Sequence, residues 1–228
     1  MRIDVITIFP EMFAPILNES IVKRAQAKKK VSIHVHDLRD YTDDKHRKVD
    51  DRPFGGGPGM VMGPQPIYDA VKKIKGRRKA GVILLCPTGT PLTQAAAKKY
   101  AKSQDLILIC GHYEGVDARL HDLVIDERLS IGDYVLTGGE LPAMVLIDCI
   151  TRLLPGVLGK AESLTDESFE NDLLDYPQFT RPANFRGKKI PDVLLSGNHD
   201  AIHKWRKEQS YRRTKKDRPD LLKKHNRS

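Results

Sequence analysis

Hydrophobic positions along the chain follow two alternating patterns, one typical of strands and one typical of helices. Short apolar runs rich in valine, isoleucine and leucine predict five strands, at residues 3–9, 31–38, 81–86, 105–110 and 123–129. Amphipathic stretches between these runs predict helices at residues 18–30, 66–75, 92–101 and 141–154. Strands that alternate with helices favour an α/β fold with a mostly parallel sheet.

The pattern changes after Pro155, where the strands stop. Residues 161–172 are polar and acidic without a clear period, which is typical of a linker between domains. Residues 198–224 follow as a basic stretch with a helical pattern. We therefore expect a first domain over residues 1–160, a linker over residues 161–172 and a small all-α domain over residues 173–228.

Positive charge is concentrated in this C-terminal part of the chain. The formal net charge is +9, and residues 181–228 carry +10 while residues 1–180 carry −1. A localised basic surface is the electrostatic footprint of a protein that binds a polyanion. For residues 215–228 a solvated, partly disordered tail is an open alternative. Ile202 and Trp205 give the preceding stretch an apolar side, which favours a structured basic helix.

Composition excludes several other classes of protein. No run approaches the ~18 apolar residues of a membrane span, and the N-terminus lacks the pattern of a signal peptide. Cys86, Cys110 and Cys149 lie in or beside apolar segments without the spacing of metal ligands. Reduced structural cysteines predict a cytoplasmic protein. A catalytic thiol at Cys86 or Cys110 is the alternative.

Three glycine-bearing loops follow the last three predicted strands, at residues 87–91, 111–115 and 130–139. Ligands of open α/β sheets bind outside the carboxyl ends of the strands, so we expect these loops to form one site. Neither a G-x-G-x-x-G turn after the first strand nor a phosphate-binding G-x-x-x-x-G-K-[ST] loop occurs, which removes the main support for a dinucleotide or nucleoside triphosphate site. Backbone and aliphatic groups in such loops suit an adenine ring and a thioether or sulfonium tail. Glu140 and Pro142 then mark the first turn of the next helix.

The chain resembles the bacterial tRNA (guanine-N1)-methyltransferases of the SPOUT superfamily, which modify guanine 37 beside the anticodon. Seven segments in order carry the resemblance and cover nearly the whole chain, at residues 4–13, 51–60, 110–117, 130–143, 151–159, 176–182 and 194–199. Each segment alone is a weak signal, but seven in the same order are specific.

This resemblance implies the fold and the cofactor. It implies a deep trefoil knot in the C-terminal part of the first domain, a homodimer, and S-adenosylmethionine held bent by the knot loops. His112 stands where the family usually has arginine. The implied cofactor contacts are Leu85, Cys86, Pro87, Gly89, Gly111, Tyr113, Glu114, Ser130, Ile131, Gly132, Asp133, Tyr134, Val135, Leu136, Gly138, Gly139 and Pro142.

The resemblance also implies catalytic residues. Guanine N1 carries a proton, which a carboxylate acting as general base can remove. The family places its proposed base, an aspartate, directly before a serine between the two domains. Glu167 occupies that position here and Asp166 precedes it, so we expect Glu167 to be the base, with Asp166 as the alternative. The alternative interpretation is that Glu167 and Asp166 have no catalytic role and only keep a linker soluble. Arg152 matches a family arginine that helps to activate guanine. Alternatively, its positive charge only interacts favourably with the dipole at the end of a helix.

The remaining expectations concern RNA. The guanine is expected near Pro58 and Gly59, with Asp175 either in its pocket or acting as a local cap. Candidate tRNA contacts in the basic stretch are Arg181, Lys188, Lys189, Lys204, Arg206, Arg212 and Arg213. Mg²⁺ is implied by the resemblance alone, because the sequence contains no recognisable metal cage. Two alternatives are a SPOUT methyltransferase acting on another RNA and a non-catalytic RNA-binding protein. None of these interpretations involves a membrane.

Overall fold

The apolar runs of the sequence form a five-stranded sheet in which every pairing is parallel. The structure, a computed structural model, describes residues 1–159 and 167–225. It divides into two compact units, one within Met1–Gly159 and one within Lys160–Ser228. The strands of the first unit are β1 (Arg2–Thr7), β2 (Ser32–Asp37), β3 (Asp50–Asp51), β4 (Val61–Met62), β5 (Gly81–Pro91), β6 (Asp105–Cys110) and β7 (Glu127–Ser130). The sheet order is β2-β1-β6-β5-β7, and β3 pairs with β4 separately, so the mostly parallel α/β fold is confirmed.

Helices cover both faces of this sheet and create two hydrophobic cores. Along β6, Leu106 and Leu108 belong to one core and Ile107 and Ile109 to the other. A strand buried on both faces reads as a continuous apolar run, which explains the sequence pattern. The helices of the first unit are α1 (Ala14–Leu17), α2 (Ser20–Ala27), α3 (Pro64–Lys75), α4 (Gln94–Ala101), α5 (Leu120–Leu123) and α6 (Glu140–Thr151). Single 3-10 turns lie at Pro10–Phe13 and Leu38–Tyr41.

Two predicted boundaries were wrong around β5 and β7. The strand predicted at residues 123–129 begins only at Glu127, because the preceding residues include the short helix α5. The loop predicted at residues 87–91 is instead a continuation of β5, and Thr90 and Pro91 pair with Leu129 and Ser130 after a shift of register. Gly89 permits this close pairing, since a Cβ there would lie 2.6 Å from the Arg128 carbonyl carbon.

The second unit is mainly helical. Its helices are α7 (His199–Asp217) and α8 (Pro219–His225), and 3-10 turns lie at Glu170–Asp172 and Asp192–Leu195. Pro219 divides the predicted single helix in two, because proline cannot continue the preceding helix. The expectation of an all-α domain was wrong in one detail, since β8 (Asn184–Phe185) and β9 (Lys188–Lys189) form an antiparallel pair. In the described parts of the chain, no helix is long and apolar enough to cross a membrane.

Candidate active site

Residues of β5 and the segments that follow β6 and β7 meet around one cavity of about 260 Å³ in the first unit. Parallel strands bring their carboxyl ends to the same edge of the sheet, so residues far apart in sequence line a common space. The expected cofactor contacts found on its wall are Leu85, Cys86, Pro87, Gly111, Tyr113, Glu114, Ser130, Ile131, Gly132, Tyr134, Val135, Leu136, Gly138, Gly139 and Pro142.

Two expected contacts lie outside this lining, and several lining residues were not predicted. Gly89 packs against the backbone of β7 instead of facing the cavity, and Asp133 is not part of the wall. Gly115 and Thr137 line the cavity within the two predicted loops although they were not expected as individual contacts, and Leu129 lines it from the end of β7. Thr137 could have been found from its position between two expected contacts.

Bare backbone joins the second and third loops of the cavity. The Gly139 amide donates a hydrogen bond of 2.8 Å to the Gly111 carbonyl oxygen, and His112 forms an isolated bridge with Gly138. A Cβ at Gly139 would lie 2.7 Å from the Cys110 Cα, closer than real Cβ contacts come. Glycine is therefore required here for the approach of two backbones rather than for an unusual φ angle.

A buried carboxyl group lies next to this junction of the two loops. Glu140, at the first position of α6, is only 2% exposed. The Thr7 hydroxyl donates to its Oε1 at 2.7 Å, and His112 Nε2 lies 3.8 Å from its Oε2. The His112 ring meets the edges of Phe9 and Tyr113, with centroid distances of 5.0 and 5.3 Å. His112 thus faces a buried carboxyl group.

Cys110 ends β6 beside this carboxylate. Complete burial raises the pKa of its thiol well above the ordinary value, and the charge of Glu140 raises it further. Because the thiolate rather than the thiol is the nucleophile, Cys110 is poorly suited to covalent catalysis. A catalytic thiol at this position is therefore disfavoured.

The long polar segment between β2 and α3 adjoins the second loop of the cavity. The Glu114 amide donates to the Met60 carbonyl oxygen at 3.0 Å, and the Met62 amide donates to the Gly115 carbonyl oxygen at 2.9 Å. Gly59 adopts a φ of +86°, and a Cβ there would lie 2.6 Å from Glu114 Cγ. The segment at Pro58 and Gly59, where the target guanine is expected, therefore packs against Glu114, which is an expected cofactor contact.

Arg152 lies at the other end of α6 from the loops. It is the C-cap residue of this helix, and its amide donates to the Asp148 carbonyl oxygen at 3.1 Å. The side chain is half-buried and is not part of the cavity wall.

In the second unit, Glu167 precedes a short segment that is tied to α7. The Ser168 hydroxyl donates to Asp175 Oδ1 at 3.1 Å and accepts from the Asp175 amide at 3.0 Å. Arg213 lies 3.4 Å from the same carboxylate oxygen. Through these non-covalent contacts Asp175 forms a cross-link between Ser168 and α7. The cross-link fixes the position of Ser168, which follows the expected base Glu167. Asp166, the alternative base, lies outside the described residues.

Strained backbone accompanies this cross-link. Phe169, Asn171 and Asp172 all have positive φ angles, of 72°, 49° and 54°. Such conformations cost about 1–3 kcal/mol each and tend to occur at functional sites. A second tie holds the segment, since the Leu174 amide donates to the buried Thr214 hydroxyl at 2.8 Å.

The expected tRNA contacts of the second unit have different surroundings. Arg206 lies over the Tyr176 ring, with Cζ 4.7 Å from its centroid. Arg212 forms an exposed pair with Glu208 at 2.6 Å, one turn away on α7. Arg181, Lys188 and Lys189 are exposed, and the two lysines form β9.

Comparison with known proteins covers both units. A sequence profile of the tRNA (Guanine-1)-methyltransferase TrmD family matches residues 1–224. The chain belongs to this TrmD family. It is 56% identical to the tRNA (guanine-N(1)-)-methyltransferase of Geobacillus kaustophilus, over 97% of this chain and 91% of that protein. It is also 56% identical to that of Ruminiclostridium cellulolyticum, over 98% and 97%, and 53% identical to that of Clostridioides difficile, over 99% of each chain.

The Mg²⁺ ion implied by the resemblance would need a cluster of oxygen ligands. Within residues 1–159 and 167–225, no group of three or more histidine, cysteine, aspartate or glutamate side chains is placed to hold a metal ion. The described residues therefore supply no fitted Mg²⁺ cage, and we assign no chemical step to a metal.

Proposed function

We propose that this protein transfers the methyl group of S-adenosylmethionine to N1 of guanine 37 in tRNA. The observation that carries the proposal is the single cavity formed by the carboxyl ends of β5, β6 and β7 in a chain of the TrmD family. The relatives are named for methylation of guanine N1 in tRNA, and position 37 follows from the seven resembling segments.

The cavity wall suits the proposed methyl donor. Leu85, Ile131 and Leu136 offer aliphatic surface for an adenine ring, and glycine backbone from two loops allows a flat ligand to approach closely. When bound, S-adenosylmethionine supplies an electrophilic methyl group. We further propose that these loops form the trefoil knot of the SPOUT fold. The adjacency of β6, β5 and β7 in the sheet is compatible with such a knot.

Proton removal is assigned to the second unit. Glu167 is the proposed general base because Ser168 and Phe169 stay in register with the family pattern, with Asp166 as the alternative. The Ser168–Asp175 cross-link supports the assignment, since it restricts where Glu167 can go. Alignment can lower the barrier by about 7–11 kcal/mol, whereas a base contributing 10²–10⁴-fold supplies about 3–5 kcal/mol. We therefore expect positioning of the guanine to dominate catalysis.

Groups of the first unit are proposed to bind the guanine. Arg152 would stabilise negative charge developing on O6 as the N1 proton leaves. Pro58 and Gly59 would let the base approach without obstruction, after it is splayed out of its stack at a cost of a few kcal/mol. Phosphate contacts from Arg181, Lys188, Lys189 and Arg212 would compensate for that cost.

The division into two units suggests that each unit has a separate function. We propose a methyltransferase domain over residues 1–160, a linker over residues 161–172 and a tRNA-binding domain over residues 173–228. The free cysteines and the tRNA substrate favour action in the cytoplasm.

A homodimer is also part of the proposal. On α6, Leu141 and Val145 lie one turn apart on the same face, and their side chains are 51% and 41% exposed. They therefore form an exposed apolar patch. The 3-10 turn Pro10–Phe13, which contacts α6, adds the exposed Met12. Clustered apolar side chains of this kind mark protein interfaces. Val145→Glu should shift the sedimentation coefficient to that of a monomer, and an unchanged coefficient would contradict this interface.

Methylation of defined transcripts tests the proposed function. The purified protein should incorporate label from S-adenosylmethionine into an unmodified tRNA transcript with guanine at position 37, and not into the matched transcript with adenine there. Calorimetry with S-adenosylmethionine should show one binding event per chain. Equal labelling of both transcripts would contradict the site, and donor binding without any labelling would contradict the substrate.

A further inference from the structure

Positive charge in the first unit is concentrated at one edge of the sheet. Residues 23–31, 72–80 and 98–104 contain 14 lysines and arginines and no aspartate or glutamate. These segments lead into β2, β5 and β6, so all three reach the amino edge of the parallel sheet. The rest of residues 1–180 carries a formal charge of −15. The near-neutral total for residues 1–180 therefore conceals a strongly basic edge.

The ends of the helices account for only part of this charge. Lysines in the last turns of α3 and α4 complement the negative end of the helix dipole. That effect falls off within the last turn, whereas residues 28–30 follow α2, and Arg77 and Lys79 follow α3. All of these cations are exposed. Capping of the helices therefore does not explain why they are positively charged.

Arg78 shows how the segment between α3 and β5 is held. Its guanidinium turns inward, where Nη2 lies 3.0 Å from Asp4 Oδ2 and Nη1 lies 3.3 Å from Asp105 Oδ1. Arg77 and Lys79, on either side of it, are exposed. The inward contacts of Arg78 therefore fix the backbone from which two neighbouring cations face solvent.

Exposed cations from all three segments form what we call the amino-edge basic surface, which comprises Lys28, Lys29, Lys30, Arg77, Lys79 and Lys102. The strands β2 and β5 are three positions apart in the sheet, so this surface extends over roughly 14 Å at ~4.8 Å per strand. A cleft of about 700 Å³ at the same edge adds Ser32 and Gln104 beside Lys29. Lysine, arginine, serine and glutamine are all side chains that donate hydrogen bonds to phosphate oxygens.

The composition of the surface favours the backbone of a double helix over single-stranded RNA. Proteins that bind single strands stack the bases on aromatic side chains. Tyr100 is the only aromatic residue of the three segments, and it is buried, with its hydroxyl donating to Glu127 Oε2 at 2.7 Å. An RNA double helix presents its phosphates while its bases are paired. A lipid surface fits less well, because helices that lie on membranes add tryptophan, phenylalanine or leucine.

We propose that the amino-edge basic surface binds the phosphate backbone of a helical arm of tRNA outside the anticodon stem-loop. The choice of tRNA as the RNA rests on the proposed function. The cavity lies at the carboxyl edge, and a strand of six residues such as β6 separates the two edges by roughly 20 Å. An anticodon loop at the cavity therefore leaves the amino edge to a more distant part of the same tRNA.

Binding of two RNAs to the full-length protein tests this proposal. Kd would be measured by filter binding for a complete tRNA transcript and for its isolated anticodon stem-loop, without methyl donor and over a range of salt concentrations. The test variant combines Arg77→Gln with Lys79→Gln and leaves Arg78 in place. The charge-matched control combines Lys215→Gln with Lys216→Gln, two exposed positions in the last turn of α7 in the second unit.

In the test variant, Kd for the tRNA should rise about 5-fold, because two exposed ion pairs with phosphate are lost. The slope of log Kd against log salt concentration should fall by about 2, one for each lost contact. Kd for the stem-loop should stay within about 2-fold of wild type, since exposed charges farther apart than the Debye length are screened. The control should change Kd for both RNAs by the same factor. Equal changes for both RNAs in the test variant, or no change for either, would overturn the proposal.

A second variant and a second probe make the test independent of folding defects and of other partners. Lys28→Gln combined with Lys102→Gln, elsewhere on the same surface, should discriminate between the two RNAs in the same way, and unfolding temperatures would show that both variants are folded. Binding to phosphatidylglycerol vesicles that is lost in both variants, with tRNA binding intact, would assign the surface to a membrane and contradict the proposal. Because Kd is measured without methyl transfer, the difference between the RNAs can be present even if no methylation is detected.

Discussion

At the scale of single residues, the account depends on where carboxylates are held. Glu140 is buried inside the first unit and meets Thr7 and His112, whereas Glu167 belongs to a segment tied to α7. A buried charge without partners would be costly, so the contacts of Glu140 fix the geometry around it. The two carboxylates therefore have different proposed roles, one in positioning the cofactor loops and the other in proton transfer.

The identity of the base is tested by a pair of alanine variants. Glu167→Ala should lower kcat for methyl transfer by ~10²-fold or more, because it removes the proposed proton acceptor. Asp166→Ala, its neighbour in sequence, is the matched control and should cost much less. Single-turnover rates on transcript tRNA would measure both. Equal small losses would remove both residues from the mechanism.

Substitution of Glu140 should separate donor binding from chemistry. In Glu140→Gln the Thr7 hydroxyl still has an acceptor, but an amide replaces the carboxyl oxygen that faces His112 Nε2, and the junction of the loops loosens. We expect donor affinity to fall roughly 10-fold, equivalent to about 1.4 kcal/mol, with kcat nearly unchanged. Glu127→Gln is the control, since Glu127 contacts Lys99 and Tyr100 away from the cavity. Wild-type affinity in Glu140→Gln, measured by calorimetry, would contradict this role.

At the scale of elements, the glycine loops require close contact of backbones. Gly139→Ala would place a Cβ 2.7 Å from Cys110 Cα and 2.9 Å from the Gly111 amide nitrogen, and neither backbone atom can move without shifting β6. Such overpacking costs typically 1–3 kcal/mol, so we expect a lower unfolding temperature and at least ~10-fold weaker donor binding. Gly159→Ala provides the control, because its Cβ would meet no atom of residues 1–159 or 167–225 within 4 Å. Similar behaviour of the two variants would show that the junction is not tight.

Elements could be predicted from sequence where their environment is uniform along the run. The strand at residues 105–110 was predicted with its observed bounds because its residues are buried on both faces of the sheet. The extension of β5 through Pro91 was not predictable, since it depends on pairing with β7, almost 40 residues later. The cavity loops at residues 111–115 and 130–139 were predictable from their glycines, whereas Gly89 lies in β5 and packs against β7. The burial of Glu140 was not, because its partner Thr7 lies 133 residues away.

At the scale of the whole molecule, one charge cluster should control stability in acid. Asp4 is fully buried in β1 and accepts hydrogen bonds from His36, Arg2 and Arg78. Burial alone would raise the pKa of this carboxyl, but these three bonds lower it well below its usual range. Because the folded pKa lies below the unfolded value, the contribution to stability is complete above the unfolded value. It is lost as pH falls from there towards the folded pKa.

Asp4→Asn tests this linkage. The variant should lower the free energy of unfolding at pH 7 by about 3 kcal/mol, because it leaves charged partners without their carboxylate. The difference between wild type and variant should shrink below about pH 4, the usual range of an unfolded aspartate. Urea titrations at several pH values would measure it. A difference that is the same at pH 3 and pH 7 would contradict the assignment.

The central claim is that three segments at the carboxyl edge of the sheet hold the methyl donor. A crystal structure with S-adenosylhomocysteine tests it most directly. We expect the ligand in the cavity between Leu85 and Gly139, with its adenine ring against glycine backbone and with Glu140 still bonded to Thr7. Ligand density at another place on the molecule, with this cavity unchanged, would contradict the claim.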